Sequence, residues 1–76
     1  MSKFPSLTPK KLLSFLQKQD FIIDHTTGSH KVLYRKSDKR RVVIPFHCKD
    51  LPKGTMFAIL NEAGFSKKDY LRISKK

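Results

Sequence analysis

Three histidines, His25, His30 and His47, and one cysteine, Cys48, are the side chains here best suited to proton transfer or nucleophilic attack. An imidazole titrates near neutral pH, so it can accept a proton in one step and return it in the next. A cysteine beside a histidine raises the question of a thiolate nucleophile. Adjacent side chains of an extended segment point apart, however, so Cys48 reads as a free, partly buried thiol. A single cysteine also excludes an internal disulfide and fits a reducing compartment. The three histidines and the cysteine show none of the paired spacings of a zinc site, so no metal is expected. His30 stands apart because of its setting. In TTGSHKVLYRK, Thr26 to Lys36, the turn-forming pair Gly28 and Ser29 delivers it to the start of an apolar–polar run. By residue type alone, an isolated strand histidine reads as a structural group. Its surroundings have to decide.

The strongest compositional signal is charge. The 76 residues carry 17 Lys plus Arg against 6 Asp plus Glu, a formal net charge of +11. Basic residues run along the whole chain, with clusters at Lys10-Lys11, Arg35-Lys36, Lys39-Arg40-Arg41, Lys67-Lys68 and Lys75-Lys76. Such a field attracts polyanions, and in a domain this small it favours nucleic acid over simple solubility. The terminal Lys75-Lys76 pair reads as a solvated tail. The longest apolar run, Met56 to Leu60, is far too short for a signal peptide or a membrane span. A soluble, cytoplasmic protein with no membrane partner is expected. The length implies one domain, residues 1–76, with a small core.

The elements that must hold His30 can be read from caps and periodicity. Thr8-Pro9 predicts a helix start, with Thr8 as N-cap. Leu12, Leu13, Phe15, Leu16 and Gln19 follow at helical spacing. Asp20 marks a left-handed exit. Phe21–Thr26 reads as a strand, Thr27-Gly28 as a turn, Ser29–Arg35 as a second strand, and Arg41–Ile44 as a third, stopped by Pro45. On the second strand His30, Val32 and Tyr34 share one face, and Lys31, Leu33 and Arg35 the other. Short links argue for an antiparallel meander. After an irregular connection, Gly54-Thr55 opens a second helix with Met56, Ile59, Leu60 and Ala63 as its apolar stripe. Gly64 ends it, with Phe65 packing back. Ser66-Lys67-Lys68-Asp69 is a variant capping box for a short terminal helix over 67–73. Tyr34 and the phenylalanines read as core, because a domain this small needs every aromatic it has. The sum is an α+β fold of order α-β-β-β-α plus a short C-terminal helix. Its three-stranded antiparallel sheet has both main helices on one face and the other face wet, the layout of double-stranded RNA-binding domains.

Against that frame, GSHKVLYRK (28–36), RVVIPFH (41–47), LPKGTMFAILNEAGFS (51–66) and the following KDYL together resemble the HicA-type, or YcfA-like, toxin family. LTPKKLLSFLQKQDF (7–21) resembles that family's first helix, so the resemblance covers about residues 4 to 73. Asp20 stands where the family commonly has Gly, which touches a helix exit and not the histidine. The resemblance implies a bacterial toxin of a type II toxin–antitoxin pair that cuts mRNA without metal or cofactor. It implies that the GSH histidine, His30 here, acts in catalysis, and that a HicB-type antitoxin binds the toxin and masks the site.

The implied chemistry makes demands that the residues can be checked against. Attack of a 2′-OH on the adjacent phosphorus needs a base, an acid for the leaving 5′-oxygen, and positive charge around the phosphorane. His30 fits a proton-transfer role. Gly28 permits close approach of the backbone to phosphate, and Ser29 offers a hydrogen bond. Lys31, Arg35, Arg40 and Arg41 are the candidate cations for gripping RNA phosphates. A second acid/base group is not evident from the residues. The resemblance implies His47 as the best candidate, though it lies in a loop of unknown direction. His25 lies across the turn and could approach His30 in a hairpin, and either can be structural. The rival reading is a non-catalytic double-stranded RNA-binding module. A third is a subunit that contacts DNA only together with its antitoxin.

Overall fold

A computed structural model describes residues 7–47 and 49–74, the side chain of Ser74 excepted. The expectations for Cys48 and for Lys75-Lys76 lie outside the described residues. The chain runs α1 (Pro9–Lys18), β1 (Ile22–Thr27), β2 (His30–Arg35), β3 (Arg40–Pro45), α2 (Lys53–Glu62) and α3 (Lys67–Ser74). This is the α+β arrangement read from the sequence, with boundaries moved by a residue or two.

The local devices explain why. Thr8 caps α1, its Oγ1 accepting from Lys11 N–H at 3.2 Å, and Pro9 sits where no N–H partner is needed. The α1 exit is left-handed at Asp20, φ +72°. There Phe21 N–H reaches back to Leu16 O and Asp20 N–H to Gln17 O, so the orphan carbonyls of the last turn are satisfied. α2 ends the same way around Gly64, φ +94°, with Phe65 N–H on Leu60 O and Gly64 N–H on Asn61 O. α2 itself begins at Lys53, directly after Pro52, one residue ahead of the Gly54-Thr55 start expected. The Ser66/Asp69 box opens α3 reciprocally: Ser66 N–H donates to Asp69 Oδ2 and Asp69 N–H to Ser66 Oγ. These bonds hold the Asp69 carboxyl below its usual pKa.

The sheet has the order β1-β2-β3, all antiparallel. β1 and β2 are joined by the two-residue loop Gly28-Ser29, with Thr27 paired to His30. Gly28 has φ +56°, the conformation that the first central position of such a hairpin demands. In the β2–β3 pair, Lys31, Leu33 and Arg35 lie opposite Ile44, Val42 and Arg40. Leu33, Val42 and Ile44 are buried against Leu12, Phe15 and Leu16 of α1 and Met56, Ile59 and Leu60 of α2. The helices therefore cover that face. The opposite face of the sheet stays open to solvent.

Arg35 binds the layers together. Its guanidinium donates to Gln19 O at 3.1 Å and to Ala63 O at 3.2 Å, the C-cap carbonyls of α1 and α2. It also makes a two-pronged pair with Asp38, at 3.0 and 2.6 Å. Phe21 and Phe65 flank it, 4.6 and 5.6 Å from ring centroid to guanidinium carbon. Cation, two helix C-termini and two aromatic faces meet in one place, where the side chain is 16% exposed. Arg40 repeats the pattern nearby, on Asp38 at 3.0 Å and Glu62 O at 3.1 Å. Arg35→Ala is expected to destabilise the fold by about 3 kcal/mol, the upper range for charged hydrogen bonds. In a domain of this size that lowers Tm by roughly 10 °C or more. Arg35→Lys should not restore it, since an ammonium cannot span two carbonyls and a carboxylate at once. Wild-type stability in the Lys variant would remove Arg35 from this role.

The Asp38 carboxyl is pulled down to about 2, first by its hydrogen bond to Arg35 and further by Arg40. A depressed folded-state pKa stabilises the fold above the unfolded value of 3.8 and loses that contribution as pH falls toward 2. The denaturant midpoint should therefore drop between pH 4 and pH 2. Asp38→Asn should flatten that drop, as read by urea titrations at the two pH values.

Candidate active site on the open face of the sheet

The open face is built by strand parity. From β1 it receives Ile22 and Thr27, from β2 His30, Val32 and Tyr34, and from β3 Arg41, Val43 and Pro45. A bulge between Ile23 and His25 adds one residue to β1 and brings Asp24 and His25 to this face together. Ile22 and Val43 are 60% and 41% exposed.

His30 starts β2, directly after the Gly28-Ser29 turn, and is exposed. β3 ends at Pro45, but the backbone pairing does not. Phe46 N–H donates to Ser29 O at 2.6 Å, so the ladder continues one step past the strand. Continuing the same register sets His47 opposite Gly28, diagonally across from His30 and on the same face. Diagonal positions are within reach of aromatic side chains. The imidazole centroids of His30 and His47 are 5.6 Å apart, with ring planes at 59°. The loop beyond is tied down by Leu51 N–H on Leu7 O at 2.8 Å.

His25 has another occupation. Its Nδ1 lies 2.8 Å from Asp24 Oδ2 and must be the donor, because a carboxylate only accepts. The same Asp24 oxygen accepts from Arg41 Nη1 at 3.1 Å. These two bonds, His25 first, hold the Asp24 carboxyl below its usual pKa. Arg41 reaches Asp24 by crossing the Tyr34 ring, 4.9 Å from its centroid. Tyr34 is therefore not core, contrary to the expectation that a domain this small buries every aromatic it has. It lies on the open face, half-buried beneath an arginine, because Leu33 takes the core side of the strand.

The residues expected to hold phosphate are not gathered in one place. Gly28 and Ser29 adjoin His30 at one end of the sheet. Arg41 lies on the same face, opposite Tyr34 and four strand positions from Pro45, about 13 Å away at strand rise. Lys31 is on the helix side of β2, its ammonium 5.1 Å from the Phe46 centroid, near the His30 end. Arg35 and Arg40 are at the far end, with their donors engaged by Asp38 and helix carbonyls. Their place among the expected RNA contacts rested on charge alone; geometry gives both a structural task. Among the described residues, no three of His, Cys, Asp or Glu converge into a metal-binding group, and no helix is long and apolar enough to cross a membrane.

Fold and charge together describe a small basic protein that offers an open sheet carrying exposed histidines. A family described as "HicA toxin of bacterial toxin-antitoxin" matches residues 9–65, most of the chain. This is therefore a toxin of the bacterial toxin–antitoxin class, and an antitoxin partner follows from that class. The chain belongs to the HicA toxin family. No curated protein matches it.

Since His30 and His47 are both exposed and outside the core, removing either ring should leave stability within about 0.5 kcal/mol of wild type. Thermal unfolding of His30→Ala and His47→Ala checks this. A Tm loss like that expected for Arg35→Ala would give these rings a structural role instead.

Proposed function

We propose that this toxin is an endoribonuclease that cleaves mRNA without a metal or cofactor, with His30 as an acid/base residue. The observation that carries the reading is the placement of His30. It is an exposed imidazole beside a glycine turn, on the uncovered face of a sheet in a protein of net charge +11. Among the described residues its ring has no hydrogen-bonded or charged protein partner, unlike His25. A group that must exchange protons with a substrate needs that freedom.

The surroundings support the same reading. Backbone at Gly28 can approach a phosphate closely, and Ser29 offers its hydroxyl. Lys31 adds positive charge at the same end. Arg41, two or so nucleotide steps along the open face, suits a neighbouring phosphate of the same strand. Its anionic partner, Asp24, is exposed, so Arg41 can exchange that carboxylate for a phosphate. The antitoxin is proposed to be of the HicB type and to cover this face, and the site of action is the cytoplasm.

Expression of wild type should arrest growth and His30→Ala should not, while purified His30→Ala keeps its fold and loses RNA cleavage. Cleavage by the wild type should persist in EDTA. Undiminished toxicity of His30→Ala would overturn the assignment. Salt-dependent RNA binding by the wild type with no product would favour a binding module in its place.

A further inference from the structure

We infer that His47 is the second proton-transfer residue of this site, sharing the two proton movements of RNA cleavage with His30. The inference rests on the endoribonuclease reading above and adds a residue to it. Transesterification at phosphorus moves two protons. The 2′-oxygen forms a bond to phosphorus as its proton passes to one imidazole. The bond from phosphorus to the 5′-oxygen breaks as that oxygen takes a proton from the other, protonated, imidazole. The products are a 2′,3′-cyclic phosphate and a 5′-hydroxyl, and the two rings end with their protonation exchanged until solvent resets them. One histidine can serve only one side of this exchange at a time.

Three observations select His47 over His25. The His47 ring lies 5.6 Å from that of His30, centroid to centroid, at a 59° tilt. At that spacing the two rings are neighbours, and both are exposed. Second, among the described residues neither ring of the pair is engaged by a protein hydrogen bond or carboxylate, whereas the His25 Nδ1–H is held by Asp24. Third, the placement is built: Phe46 N–H on Ser29 O zips the segment of His47 to the turn that carries His30. Phe46, half-buried, turns to the helix side, so His47 is left on the open side. Lys31, beside His30 in the chain and over the Phe46 ring, is a cation close to both segments. Lys49 and Asp50 are the charged neighbours that follow His47 along the loop.

The test compares purified wild type, His30→Ala, His47→Ala and His47→Gln on a mixed-sequence oligoribonucleotide, with folding checked by circular dichroism. Wild type should yield cyclic-phosphate ends, seen by mass spectrometry, and a bell-shaped dependence of kcat/KM on pH. His47→Ala should lower kcat by about 100-fold or more, with little change in KM, and abolish one limb of the bell. Gln keeps bulk and hydrogen bonding without a proton to exchange, so His47→Gln should be equally slow. Near wild-type cleavage by His47→Ala, rescue by Gln, or a slowed reaction with both limbs intact would each overturn the inference. If His30→Ala is inactive while His47→Ala is not, the pairing alone falls. If His30→Ala cleaves as wild type does, the endoribonuclease reading of the site falls, and this inference with it.

Discussion

The Arg35 guanidinium is the interaction on which the rest of this structure depends. α1 and α2 both end at the same edge of the sheet, and each leaves carbonyls that point into one small volume. Two negative helix termini converging there repel unless a cation stands between them. Arg35 supplies it from the middle strand, and Asp38 in the β2–β3 turn keeps the guanidinium in orientation. Because Arg35 and Leu33 point to the same side, this clamp also decides which face of β2 is covered. His30, of opposite parity, is then necessarily on the open side.

The molecule divides its cations by this rule. At the clamp end, arginines are spent on helix carbonyls and on Asp38. At the histidine end, the cations are freer, and the backbone turn is tight. Net charge alone does not distinguish the two populations. A strongly basic sequence therefore overstates how much of its charge is available to a polyanion. Arg41 occupies a middle position: it is paired, but on the exposed face and across an aromatic ring.

Much of this was legible in the residues, for definable reasons. Thr8-Pro9, Ser66 with Asp69, and Gly64 with Phe65 are short-range devices whose partners lie within a few positions, so their geometry follows from spacing. The β1–β2 turn is of the same kind, although it falls on Gly28-Ser29, one residue later than the Thr27-Gly28 expected. The role of Arg35 was not legible, because its partners Gln19 and Ala63 are 16 and 28 positions away. Nor was the face of Tyr34: both sides of β2 mix basic and apolar residues, and only the burial of Val42 and Ile44 on β3 breaks the tie. The bulge at Asp24 and His25 leaves no mark in an alternation pattern that is polar on both sides. The neighbourhood of His47 was within reach. Carrying the β2–β3 register past Pro45 brings it opposite Gly28, and what concealed this was taking the proline as the end of the ladder.

The β2–β3 hairpin has one more consequence, for how the protein comes into being. His30 and His47 are separated by a short stretch of chain that contains little besides two strands and their turn. Bringing them together closes a short loop, whose entropy is modest, and hairpins of this size form in microseconds. The clamp that makes the sheet rigid, by contrast, needs Ala63, and so waits for α2. The histidine pair is thus a local property of the chain and its permanence a global one. During synthesis the two rings can meet as soon as the hairpin is free of the ribosome. They acquire a fixed geometry only when the second helix has followed.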